Sequence, residues 1–237
     1  IQYLDSDDFL QENAIEYLTD KAEATNAEVV AAPFFFYYSE NKMDISGHFS
    51  FQEMTGMEYF NEILSGRAYW SVWSNFLSRS LFERNDISFV PEISFGEDAI
   101  LMVQLLYHTQ KVVALEQPIL YYRQIESSIC HDITPKRHED LRTYTKWIER
   151  FMIEKGLYES YRNNLILKNI EMAFLCMHWG YYENADKDMK RIVKDIKKRP
   201  QLLKCLPGRQ RKIIKVYLFS SWLGFLYLMH YKKQGKL

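Results

Sequence analysis

The chain has 237 residues, 47% hydrophobic and 16% aromatic, enough to bury a substantial core and to exclude wholesale disorder. Its formal net charge of −1 hides an asymmetry: residues 1–135 carry 7 Lys and Arg against 21 Asp and Glu, whereas residues 136–237 carry 23 against 10. Cys130, Cys176 and Cys205 lie far apart in no metal-binding spacing, which fits a reducing compartment, and no run reaches the roughly 18 apolar residues of a membrane span.

Ile1-Gln2-Tyr3-Leu4 reads as a strand, followed at once by Asp5-Ser6-Asp7-Asp8. In α/β folds ligand chemistry gathers at the carboxyl edge of the sheet. Carboxylates packed this closely repel one another unless a cation sits among them, and oxygen ligands suit Mg²⁺ or Mn²⁺. The plainer alternative is that Asp5, Ser6 and Asp8 cap a helix beginning near Phe9. A strand with no upstream partner also implies that the protein has a preceding part, although no signal peptide opens the chain.

Phe9, Ile15, Leu18 and Ala22 then predict a helix to about Thr25. Ala27 to Ser39 reads as a strand, with Pro33 marking an edge or a bulge. Its Phe34-Phe35-Phe36-Tyr37-Tyr38 run is a candidate base- or sugar-stacking surface or, more simply, core. Thr55 and Glu58 form a capping-box pattern. Trp73, Phe76, Leu77 and Leu81 recur at helical spacing over Ser71–Glu83. Asp86 to Phe89 is a short extended piece. Gly96-Glu97-Asp98 precedes a helical pattern from Ala99, which puts both carboxylates at a helix N-terminus, where the dipole favours their charged form. Two strand-like segments, Val112–Leu115 and Ile119–Arg123, flank Pro118.

A turn-like cluster, Asp132-Ile133-Thr134-Pro135, divides the chain into 1–135 and 136–237. Beyond it the apolar spacing is helical, and three or four helices are expected to form a bundle. Residues 187–215 hold 12 basic against 2 acidic residues; Val216 to Tyr231 is almost wholly apolar or aromatic, and Lys232, Lys233 and Lys236 follow. That composition predicts an interfacial helix on an anionic membrane surface, with a helix closing the bundle as the alternative. Aromatics are not interleaved with the basic residues, which argues against nucleic acid.

Four segments together resemble family 2 glycosyltransferases of GT-A fold. They are Asp5-Ser6-Asp7-Asp8, the segment Trp73 to Phe82 (similar to a Trp-containing helix), Gly96-Glu97-Asp98-Ala99 after Ile87-Ser88-Phe89, and Tyr121-Tyr122-Arg123 with Ser127-Ser128-Ile129. The resemblance covers about residues 1 to 130. It implies the C-terminal part of an α/β GT-A domain, followed by an all-α region. The nucleotide-binding half is missing, so this stretch alone is expected to be inactive. No Gln-x-x-Arg-Trp signature of processive synthases is present, which favours transfer of a single sugar.

The implied reaction moves a sugar from a nucleoside diphosphate, most simply a UDP-sugar, to the hydroxyl of a saccharide or lipid-linked acceptor, with inversion, in surface polysaccharide or glycolipid synthesis. By resemblance Asp7 ligates Mn²⁺ or Mg²⁺, Asp5 assists at the metal and the donor, and Asp98 is the general base. On the acceptor side, Glu97 orients the loop or touches the acceptor, Trp73 stacks on a sugar face or is buried core, and Arg123 meets the acceptor, a phosphate or the Glu97–Asp98 pair; His131 is a candidate metal ligand or a surface histidine. The expected location is cytoplasmic, peripheral on the inner face of the membrane. The alternatives are a non-catalytic membrane-surface or partner-binding module and a metal-dependent nucleotidyltransferase.

Overall fold

The computed structural model describes residues 1–47, 49, 51–125 and 133–233, so His131 and the Ser127-Ser128-Ile129 segment lie outside the described residues. The chain forms two compact units, Ile1–Ile148 and Glu149–Leu237.

The first unit carries two four-stranded sheets. One has the order β5 (Glu53–Met54), β7 (Val112–Ala114), β2 (Val29–Ala31), β6 (Asn75–Leu77); β2 runs parallel to β7 and antiparallel to β6. β2 and β7 are buried along their whole length, as β-branched segments covered on both faces must be. The second sheet has the order β1 (Phe9–Leu10), β8 (Leu120–Arg123), β3 (Phe35–Ser39), β4 (Lys42–Ile45). The expected strand Ala27–Ser39 is therefore two strands in different sheets. Pro33 lies between them, where it removes a ladder donor.

Strand alternation sorts the aromatic run. Phe34 is buried with Val30, Leu18, Ile119 and Trp73 in one core cluster, against which Phe36 packs. Phe35 lies on the other face and stacks on Tyr121, which in turn stacks on Phe9. The helices of this unit are α1 (Ala14–Thr25), α2 (Gly56–Leu64), α3 (Arg79–Asn85), α4 (Glu97–His108) and the start of α5 (Pro135–Glu154). Thr55 and Glu58 form the capping box of α2. Thr134 accepts from the Arg137 N–H at 3.1 Å ahead of Pro135, so α5 begins at the last residue of the expected turn cluster and is capped by a side chain.

Two expected helices of this unit change. The segment 71–83 is not one helix but a 3₁₀ turn (Val72–Ser74), then β6, then α3. Ser71, Ser74 and Asn75 bond to local backbone and to one another, an alternative to helix that pairing with β2 completes. The helix after Asp8 begins at Ala14 rather than near Phe9, with Asn13 as its left-handed N-cap residue, so none of Asp5, Ser6 and Asp8 caps it.

The second unit is all helix: the end of α5, then α6 (Tyr158–His178), α7 (Tyr182–Lys198), a 3₁₀ helix (Pro200–Cys205), α8 (Gly208–Phe219) and α9 (Ser221–Lys233). α7 buries Met189, Ile192, Val193 and Ile196 and turns its basic residues outward. Tyr217 on α8 donates to Asp186 on α7 at 2.9 Å, and Lys190 pairs with the same carboxylate at 2.6 Å. The apolar run from Val216 is not one helix: Ser220, in extended conformation, divides it between α8 and α9. No helix among the described residues is long and apolar enough to cross a membrane.

Candidate active site

The opening residues are not a regular strand but lie along β6. Ile1 and Leu77 exchange two hydrogen bonds, of 2.6 and 2.9 Å, and Gln2 Nε2 donates to the Trp73 carbonyl at 2.6 Å. The segment thus runs from Leu77 toward the 3₁₀ turn, at the end of the sheet where β2 finishes, since Asn75 is the residue paired with Ala31. Asp5 to Asp8 follow as a turn closed by an Asp8 N–H to Asp5 C=O bond of 3.1 Å. This is the sheet edge the sequence pointed to.

Asp98 reaches the same place from α4. Gly96 precedes the helix at φ 87°, and a Cβ there would lie 2.0 Å from the Tyr144 ring. Only glycine allows both that conformation and that approach. The half-buried Asp98 accepts from the Val72 N–H at 3.1 Å, so the first residue of the 3₁₀ turn holds it. Burial raises its carboxyl to about 7; the Val72 bond pulls it down, and the charges of Glu97 and Asp5 push it up. The helix dipole alone would favour the charged form. Desolvation and like charge outweigh it here.

The carboxylates of the turn are coupled to one another. The surrounding protein, and then the Asp7 charge, raise Asp5. Asp8 is buried; its Oδ1 accepts from the Arg123 N–H at 2.8 Å, and its Oδ2 has no hydrogen-bond partner among the described residues. Burial first, then Asp7 and Asp5, lift Asp8 to about 6 against the opposing pull of Arg123. Burial and the Asp98 charge raise Tyr3.

Such a cluster suits a hard cation. Its donors are all oxygen, and mutual repulsion is what a dication relieves. Among the described residues no group of three or more His, Cys, Asp or Glu side chains is placed to hold a metal ion by itself. One or two of these carboxylates could hold Mg²⁺ only with substrate phosphates completing its shell.

The structure thus brings Asp5, Asp7, Glu97 and Asp98 into one electrostatic neighbourhood. Arg123 is exposed and joins through Asp8, not through Glu97 or Asp98. The Trp73 ring is buried, edge-on to Phe34 at 4.7 Å and stacked on Tyr122 at 5.0 Å; its contribution to the site is the carbonyl that holds Gln2. Sequence reasoning placed Asp8 in the acidic cluster but missed Gln2, Tyr3 and the Val72 N–H, none of which carried a local signal.

No family model matches the chain. Over its whole length it is 22% identical to the uncharacterized glycosyltransferase EpsJ of Bacillus subtilis, covering 73% of that protein. Among solved structures, S. aureus TarS 1–349 in complex with UDP-GlcNAc aligns with 99% of this chain and 68% of its own at TM-score 0.60 and 13% identity. The same protein in complex with UDP aligns at TM-score 0.55 and 15% identity, covering 99% of this chain and 66% of its own. The fold is theirs. A partial GT-A domain followed by an all-helical region, the class expected from the sequence, is what the chain adopts. Homology to a glycosyltransferase, EpsJ, takes in the helical region as well as the sheets.

Proposed function

We propose that the chain carries the catalytic carboxylates of an inverting, family 2 type glycosyltransferase that moves one sugar from a nucleoside-diphosphate sugar, most simply a UDP-sugar, to the hydroxyl of a saccharide or lipid-linked acceptor. The observation that carries the reading is Asp98, a half-buried carboxylate fixed by a backbone N–H and raised to about 7. A base works best when its pKa lies near the working pH. TarS with UDP-GlcNAc and TarS with UDP support a donor of that class.

In this reading the acceptor oxygen attacks the anomeric carbon from the face opposite the diphosphate. The bond from that carbon to the phosphate oxygen breaks, UDP departs with the electron pair, and Asp98 takes the hydroxyl proton. Asp7 and Asp5 would hold Mn²⁺ or Mg²⁺, which when bound neutralises charge on the departing diphosphate. Asp8, tied to β8, sets the turn from which Asp5 and Asp7 project. Burial keeps the Asp98 proton affinity high, and the Glu97 charge adds to it.

The reading is tested by offering the intact enzyme a panel of UDP-sugars with saccharide and lipid-linked acceptors and assaying the nucleotide released. Release of UDP with a glycosylated product supports it. Release of pyrophosphate would identify a nucleotidyltransferase, and no turnover across the panel would leave a non-catalytic module.

A further inference from the structure

We propose that the corner between α8 and α9 is a docking surface for an anionic lipid bilayer. The sequence shows one half of the case. After Asp195 the chain contains no Asp or Glu at all, whereas Lys197, Lys198, Arg199, Lys204, Arg209, Arg211, Lys212, Lys215, Lys232, Lys233 and Lys236 are basic. Arg199 pairs with Glu159, and the positive excess that the others leave attracts an anionic leaflet.

The structure supplies the other half. On α8, Lys212, Lys215 and Phe219 are all exposed and follow one another at spacings that place them in a single stripe. Phe219, at the end of that stripe, is 84% exposed. On α9, Trp222, Leu223 and Leu226 share an exposed face, and Trp222 is 68% exposed. The apolar side chains that close the bundle are different ones: Ile213, Ile214, Tyr217 and Leu228 are buried. Gly224 lets the two helices cross closely, since a Cβ there would meet the Tyr217 ring at 2.4 Å. Phe219 and Trp222 stand exposed at the corner where the two helices meet, with Lys212 and Lys215 leading up to them.

Basic residues beside exposed Trp, Phe and Leu are the composition of an interfacial element. The aromatic tip enters the headgroup boundary, and the lysines bind headgroups. A second copy of the chain is a poor occupant, because two corners with the same excess of basic residues repel. Nucleic acid is a poor one as well, because the aromatics lie beyond the basic row and not between its members. The inference rests on charge and exposure in the second unit alone and is independent of the glycosyltransferase reading.

The test is co-sedimentation of the intact chain with phosphatidylglycerol–phosphatidylcholine vesicles and with phosphatidylcholine vesicles, at low and high salt. Binding should require the anionic lipid and weaken with salt, since screening acts within a Debye length of ~8 Å at physiological strength. Lys212→Gln with Lys215→Gln should weaken low-salt binding roughly 5- to 30-fold. Phe219→Ser with Trp222→Ser should remove most of the binding that survives high salt. All four positions are exposed, and unchanged helical circular dichroism confirms that the fold persists. Intact protein left in the supernatant with anionic vesicles at low salt overturns the proposal. So does equal binding to the two vesicle types, or both double variants binding like the parent. Self-association through this corner without vesicle binding would assign the surface to a second copy instead.

Discussion

The Val72 N–H donates to Asp98 Oδ2 across 3.1 Å, joining the first residue of a 3₁₀ turn to the second residue of a helix. The bond links the sheet edge to the start of α4, so a shift in either moves the carboxylate. It also satisfies one Asp98 oxygen while leaving the proton affinity high, because burial and the charges of Glu97 and Asp5 outweigh it.

That balance predicts a pH-dependent stability. The folded state holds the Asp98 proton up to about 7, whereas an unfolded aspartate releases it near 3.8. Between those values the native state binds more protons, so Asp98 lowers stability as pH rises. Without added metal, Asp98→Asn should match the parent in melting temperature near pH 4 and exceed it increasingly toward pH 8. Parallel melting curves over that range would contradict the assigned environment.

Gly96→Ala should be severe. The new Cβ must avoid the Tyr144 ring at 2.0 Å while the backbone keeps φ 87°. A loss of about 1–3 kcal/mol is expected in denaturant unfolding from the backbone alone. Turnover should fall with it, since Asp98 lies two residues on. An unchanged midpoint would show that the approach is not as close as described.

Asp140 anchors the loop before α4 from the α5 side. Its Oδ2 accepts from the Ser94 N–H at 3.1 Å and the Ser94 hydroxyl at 3.0 Å, and Lys136 pairs with its other oxygen. Burial pushes its carboxyl up, yet these partners hold it below the usual carboxylate range. Asp140→Ala should cost about 1–3 kcal/mol of stability. It should lower kcat more than it changes donor KM, with partial recovery in Asp140→Asn. Equal changes in kcat and KM for both variants would make Asp140 merely structural.

Metal binding has its own test. In calorimetry with a UDP-sugar, Mn²⁺ should strengthen donor binding, and Asp7→Ala should abolish that gain while leaving metal-free affinity near the parent's. Equal affinity with and without Mn²⁺ in the parent would count against a metal at Asp5 and Asp7.

What the sequence showed was local. The Thr55–Glu58 capping box, the helix start at Gly96-Glu97-Asp98 and the two strands around Pro118 depend on neighbours within a turn, and each was readable. The stretch around Trp73 was not. Spacings of three and four suit a helix and also suit a turn followed by a strand, and pairing with β2 decided between them. The pairing of Ile1 with Leu77 and the Val72–Asp98 bond join residues 76 and 26 positions apart, beyond any periodicity. Trp73 read as a possible sugar platform, but its ring is enclosed by Phe34 and Tyr122.

The most direct test of Asp98 as the base is turnover by Asp98→Asn in the intact enzyme, measured as UDP release from the preferred UDP-sugar in the presence of acceptor. Asparagine keeps the size of the side chain and can still accept from the Val72 N–H, but it cannot take a proton. With Asp98 as the base, kcat falls by roughly 10²–10⁴-fold while donor affinity stays close to the parent's. A variant that turns over at near the parent rate would remove Asp98 from the base role, and with it the reading of this site.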